Sequence, residues 1–300
     1  MVSGAFRAHP RTALPLELII AIIEELAADR DNRTLCAFSL VCSSLVPICR
    51  KHIFHSFDMR TGSQCTRGWQ IVNKFARFLS QNLHLTPYFR AIHILALGKN
   101  WPLPSWIYET PNLAYIIQHL TSLHTFELIV SPKSPWDLLP TNLKEALFVM
   151  VCRNNLQTLR FTGMTDIPLL LFTQASRHLK SFHAHQVACW HIGILPAVCQ
   201  RHKRIFEELS LGHSTVLLRI LLENAYFDLS SLQKITIDIS SKPTNLKLSW
   251  SLIARAGESL RHLEFRQSDM EHNPRFFCFK NSGEHHDQFC LRYIIPHKRV

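Results

Sequence analysis

Glycine is scarce in this sequence, with nine residues in 300. None of the nine belongs to a Gly-x-Gly-x-x-Gly run or a Gly-Lys-Ser/Thr loop, which excludes the backbone cradles that hold nucleotide phosphates. A Gly-x-Ser-x-Gly elbow for a hydrolase serine is absent as well. Cysteine occurs nine times, an odd number with no Cys-x-x-Cys pair, in a chain too long to need a disulfide scaffold. Reduced, mostly buried thiols are therefore expected. Long apolar runs are missing too: Leu16 to Leu26 is interrupted by Glu24 and Glu25, and Ile167 to Phe172 is far too short for a hydrocarbon layer of roughly 30 Å. No membrane span is expected. The residues from Met1 to Thr12 lack an apolar run behind their charged start and do not read as a secretory signal. The expected location is cytoplasmic or nuclear.

Acidic residues are also few, 22 against 33 Lys and Arg, for a formal charge of +11. The shortage is local: no Asp or Glu occurs between Asp58 and Glu109, while Arg60, Arg67, Lys74, Arg77, Arg90 and Lys99 fall in that interval. A basic stretch of this kind attracts phosphate. Its aromatics follow core spacing, however, which favours an ordinary solvated face over a nucleic-acid surface. What the chain has in quantity is apolar residues, 47%, enough for one large core or for a small module joined to a larger one.

The small module is expected first. Pro15 suits the opening turn of a helix, where its missing N–H costs nothing. From there Leu18, Ile19, Ile22, Ile23 and Leu26 recur at three- and four-residue steps. The polar stretch from Asp29 to Arg33 breaks the pattern, and Leu35, Phe38, Val41, Cys42, Leu45 and Ile48 restart it as a second run. Pro47 should set a boundary or kink there. A third short run, from Cys49 to Phe57, places Ile53, Phe54 and Phe57 on one side. Three helices in about 45 residues cannot enclose a substantial core, so such a unit needs a partner or a neighbouring domain.

These residues resemble an F-box. Leu14-Pro15-Leu16-Glu17-Leu18 matches the family's Leu-Pro-x-Glu-Leu opening, and Leu40-Val41-Cys42 matches its second patch; Leu45 stands where the family usually has an aromatic. The resemblance implies a three-helix module that packs on a Skp-family adaptor and, through it, joins a cullin-RING ubiquitin ligase. Carried over position by position, it implies adaptor contacts at Leu14, Pro15, Leu18, Ile22, Val41 and Cys42.

Beyond residue 60, seven segments share the form apolar-x-x-apolar-x-apolar. They open at Phe89, Leu123, Leu156, Leu179, Phe206, Leu232 and Leu260, 23 to 34 residues apart, a spacing that overlaps the leucine-rich-repeat range. Each ends in the alternation of a strand. The intervening stretches read as helices: Asn112 to Leu120, Asn142 to Cys152, Ile167 to Ser176, Trp190 to Gln200, Val216 to Phe227 and Trp250 to Ala256. Trp69 to Leu83 makes a further amphipathic helix ahead of the first segment. Strands alternating with helices imply parallel neighbours joined by crossovers.

The expected fold is therefore α/β: a three-helix module, then an irregular leucine-rich-repeat-like solenoid with parallel strands on one face and helices on the other. The divisions run 1–13 tail, 14–57 module, 58–88 linker, 89–270 repeats and 271–300 cap or tail. The layout resembles fungal-type F-box proteins with repeat-bearing C-terminal halves.

Alternation also selects a candidate recognition row. If Leu159, Leu209, Ile235 and Leu263 point into the core, Glu127, Arg160, His183, Ser210, Thr236 and Glu264 should face out and bind a protein target. Thr125, Thr158, Ser181, Glu208, Lys234 and His262 flank them.

Metal chemistry has two weak candidates. Cys278, His285, His286 and Cys290 fit no standard zinc spacing, and a capping hairpin of Phe276–Phe279 against Phe289–Ile294 is the better reading. His183, His185, Cys189 and His191 lack a fixed fourth ligand. No metal, cofactor or catalytic residue is expected. The expected role is substrate receptor of an SCF-type ligase, with a Skp-family adaptor, a cullin behind it and an unidentified protein substrate as partners. The alternatives are a repeat-based scaffold outside a ligase and, less favoured, a basic nucleic-acid-associated protein.

Overall fold

The apolar spacing of the first segment winds Leu16–Ala28 into helix α1, with Pro15 at its N-cap. In the computed structural model, residues 14–61, 65–97, 106–107, 110–190, 204–224, 227–239, 243–267 and 290–294 are described. They fall into two units, Met1–Ser56 and Phe57–Val300.

In the first unit, Asp31 starts helix α2 (Asn32–Ser39) by accepting hydrogen bonds from the Thr34 backbone N–H at 3.0 Å and hydroxyl at 2.6 Å. The second helical run is shorter than its spacing predicts. It stops at Ser39, passes through an extended Cys42 and a 3-10 turn at Ser43–Leu45, and resumes as α3 (Val46–Ile53). Pro47 lies in the first turn of α3, so it begins a helix instead of ending one, consistent with the harmless loss of an N–H there. The third run also ends early, at Ile53, because residues from Ser56 onward adopt a strand. Ile23, Leu35, Leu45 and Cys49 form the small core, with Ile19, Leu26, Ala27, Phe38, Ile48 and Ile53 packed around it.

The second unit is α/β. Its nine-stranded sheet runs in chain order: β1 (Ser56–Thr61), β2 (Ala91–Ala96), β3 (Thr125–Pro135), β4 (Thr158–Thr165), β5 (Ser181–His185), β6 (Glu208–Gly212), β7 (Lys234–Ile239), β8 (His262–Gln267) and β9 (Cys290–Ile294). Strands β2 to β8 run parallel to one another, and β9 pairs antiparallel with β8. Helices fall in the crossovers: α4 (Cys65–Gln81), α5 (Pro111–His119), α6 (Thr141–Val151), α7 (Leu169–Thr173), α8 (Thr215–Glu223) and α9 (Pro243–Ala256). The run expected from Ile167 to Ser176 keeps only the five helical residues of α7, because Ile167–Pro168 pairs with Cys189–Trp190 as a short parallel bridge. Most of the run expected after Trp190, and Phe276–Phe279 of the expected hairpin, lie outside the described residues.

Burial follows the spacing of the repeated segments. The seven opening residues are all buried, as are Ile92, Phe126, Leu159, Phe182, Leu209, Ile235 and Leu263, which share one register row across β2 to β8. Truncating one such side chain costs roughly 2–5 kcal/mol. Aromatic rings continue the core from strand to strand: Phe126–Phe161, Phe161–Phe172, Phe172–Phe182, Phe182–Phe206 and Phe206–Phe227 have centroids 5.1 to 6.2 Å apart.

A backbone joint links each unit of the stack to the next. The Arg90 carbonyl accepts from the N–H groups of His124 and Thr125, and the His124 carbonyl accepts from Gln157 and Thr158. The same double acceptance recurs at Gln157, Lys180, Glu207 and Gln233. No side chain takes part, so residues of every charge type occupy the position.

Candidate functional site

Two surfaces carry the residues selected by the sequence. The first belongs to the N-terminal unit. Helix α1 turns Ile19, Ile23, Leu26 and Ala27 to the small core. Leu18 and Ile22, one turn apart on a different strip of the helix, remain 54% and 41% exposed, and Leu14 ahead of the cap is 53% exposed. The break after α2 has the same effect. Leu40 and Val41 satisfy their N–H groups on Ala37 and Phe38, and their side chains stay open, Val41 at 72%. Pro15 and Cys42 are exposed as well. The Cys42 thiol lies 3.1 Å from the Ser44 hydroxyl, and that hydrogen bond, with backbone N–H groups behind it, lowers its pKa. All six selected positions of this unit thus reach solvent, together with Leu16 and Leu40, which spacing alone did not single out.

The second surface is the sheet face opposite the apolar row. Register places His93, Glu127, Arg160, His183, Ser210, Thr236, Glu264 and Arg292 in one line across eight strands. The expectation that this row stands open needs correction. His183, Ser210, Thr236 and Glu264 are buried and Glu127 is nearly so, whereas Arg160 keeps 42% of its side chain exposed. The reason is lateral pairing: side chains in register on neighbouring strands stand about 5 Å apart and cover one another.

The pairs are specific. Glu127 is held between His93 Nδ1 at 2.7 Å and Arg160 Nη1 at 2.9 Å. Burial alone would raise this carboxyl, but the His93 hydrogen bond and the Arg160 charge outweigh it and keep the pKa at about 2. His183 is pushed down to about 4, first by burial and then by the Arg160 charge, so it is neutral near pH 7. Glu208 bridges to Lys234 at 2.7 Å and accepts from the Ser181 hydroxyl at 3.3 Å. Glu264 takes the Thr236 hydroxyl at 3.4 Å and Arg266 at 3.2 Å. The flanking residues Thr125, Thr158, Ser181, Glu208, Lys234 and His262 are only half-buried and form the more open part of this face.

Two groups that spacing did not select complete it. His185 Nε2 is 3.0 Å from the Ser210 hydroxyl and its Nδ1 is 3.6 Å from Asp238. Gly212 makes this approach possible, since a Cβ there would fall on the Asp238 carboxylate and the His185 ring. The order Ser–His–Asp resembles a hydrolase relay, but Ser210 is buried in mid-strand, its β6 paired on both sides. The three side chains thus link β5, β6 and β7 across this face. His93, His185 and Asp238 were legible in principle: each sits at an alternate position of its segment, in or beside the selected row.

Among the described residues no group of three or more His, Cys, Asp or Glu side chains could hold a metal ion. His185 bonds to Ser210 within the strand face, His183 is buried there, and burial drives the Cys189 thiol up to about 12. His191, Cys278, His285 and His286 lie outside the described residues. No described helix is long and apolar enough to cross a membrane. No family model matches the chain, and no curated protein matches it significantly.

Proposed function

We propose that this chain is the substrate receptor of an SCF-type cullin-RING ubiquitin ligase, gripping a Skp-family adaptor through its N-terminal unit and a target protein through its strand face. The observation that carries this reading is the exposure of Leu14, Pro15, Leu18, Ile22, Val41 and Cys42, the positions that the F-box resemblance assigns to the adaptor. A unit this small gains little by leaving Leu and Val in water unless something covers them. The second unit fits the other half of the proposal, an irregular leucine-rich-repeat-like solenoid, through its chain-ordered parallel strands with helices in the crossovers.

The target-binding role then falls on the open part of the strand face. Arg160 from the central row and Glu208, Lys234 and His262 from the flank offer charges of both signs, which suits selective recognition of a protein segment. The buried members of the row hold these groups in place.

The test is co-purification with a Skp-family adaptor. Leu18→Asp combined with Val41→Asp should abolish capture, because a carboxylate would be buried without a partner in an apolar contact. Both side chains are solvent-facing in the free chain, so its unfolding midpoint should stay unchanged. A folded double variant that still captures the adaptor would sink the proposal.

A further inference from the structure

Helices α4 and α5 pack side by side and leave a groove of about 570 Å3, lined by Asn73, Lys74, Arg77, Ser80, Asn112 and Tyr115. Its charge is one-sided from the sequence upward. Neither helix contains an Asp or Glu, and the chain has none between Asp58 and Glu109. Lys74 and Arg77, three residues apart, are neighbours on the surface of α4, where like charges repel. Both are exposed, and neither has a carboxylate partner among the described residues. Some other cations of this unit do have one, Lys234 with Glu208, Lys180 with Glu207 and Arg160 with Glu127. Arg90, from the same basic interval, donates to the Ser122 carbonyl.

The other polar groups of the groove extend the donor set. Asn112 Nδ2 donates to Asn73 Oδ1 at 2.6 Å, which fixes the two amides and leaves the Asn73 amide hydrogens to donate. Tyr115 is half-buried with its ring 4.0 Å from that of His119, and its hydroxyl is a further donor. The Ser80 hydroxyl gives its proton to the Arg77 carbonyl at 2.8 Å. Two cations, an amide and a phenol thus line one open groove of a size that holds a small molecule.

We infer that the groove between α4 and α5 binds a phosphoryl group, carried either by a small phosphorylated molecule or by a phosphorylated side chain of a peptide. A phosphoryl dianion presents three oxygens and double charge to this donor set, whereas a carboxylate would leave donors unused. A nucleic-acid backbone is disfavoured, since it calls for a strip of many cations.

The experiment is calorimetric titration of the full chain with phenyl phosphate and with a phosphoserine heptapeptide, alongside the unphosphorylated peptide and a 12-nucleotide single strand. At least one phosphorylated probe should bind saturably at one site, and Lys74→Gln with Arg77→Gln should weaken it at least tenfold. Lys247→Gln with Arg255→Gln removes the same charge from exposed positions of α9 and should leave binding intact. Comparable affinity for both probes assigns the site to the phosphoryl group of small molecules, and a clear preference for the peptide assigns it to phosphorylated side chains. No saturable binding of either, equal loss in both double variants, or tighter binding of the oligonucleotide would overturn the inference. Circular dichroism confirms that the exposed glutamine variants remain folded.

Discussion

The two units of this chain place their residues in opposite ways. Among its described residues the N-terminal unit buries only apolar side chains, Ile23, Leu35, Leu45 and Cys49, and leaves Leu14, Leu18, Ile22, Leu40 and Val41 in water. The sheet unit buries His183, Ser210, Thr236 and Glu264 as well as its apolar row, and satisfies much of the charge on that face internally. An apolar group outside is an unfinished contact, while a bonded polar group inside is a finished one. The contrast separates an apolar surface left open from a polar surface whose groups are largely bonded to one another.

The contrast breaks most severely in the core of the sheet unit. Leu159→Ala or Leu209→Ala should cost about 2–5 kcal/mol in urea unfolding. The next effect is of pH. Glu127 has a folded pKa near 2, below its ordinary 4.5, so the stability it contributes is complete above pH 4.5 and drains as pH falls toward 2. His183 has a folded pKa near 4 against 6.5 and is held neutral, so its cost appears as pH falls from 6.5 through 4. Stability should drop by on the order of 3 kcal/mol across that upper window. His183→Asn should flatten it, measured as the urea midpoint against pH; an unchanged slope would show that His183 is not the group responsible.

Smaller still is the loss of one partner. Arg160→Met leaves the mostly buried Glu127 carboxylate with His93 alone, at a cost of about 1–3 kcal/mol. The double change with Glu127→Gln should cost less than the sum of the two singles in a thermodynamic cycle. At the low end, Leu40→Ala in the N-terminal unit should shift stability by no more than about 0.5 kcal/mol, as befits a side chain that packs against little. A larger loss would mean that the exposed set is part of the unit's own core.

The strands were legible because alternation and the opening apolar residue are local signals. Phe89, Leu123, Leu156, Leu179, Phe206, Leu232 and Leu260 marked every parallel strand from β2 to β8. The burial of the polar row was not legible, because it depends on partners 25 to 34 residues away, such as His185 with Ser210 and His93 with Glu127. The break at Leu40 was missed for a different reason. Apolar spacing runs on through Val41 and Leu45, and nothing local announces the extended backbone at Cys42. Pro47 does mark a boundary, and the boundary is a helix start, because at the first turn the hydrogen bond that proline removes does not exist. The six positions proposed to meet an adaptor rest on motif resemblance alone; periodicity would send Leu18 and Ile22 inward with their neighbours.

The joint between successive units of the sheet, a single carbonyl receiving two N–H groups, belongs to the main chain alone. Arg, His, Gln, Lys, Glu and Gln serve in turn at that carbonyl, so the joint itself asks for no particular side chain. A lineage built this way is free to rewrite its joints while its architecture persists, and shape will outlast spelling as the record of descent.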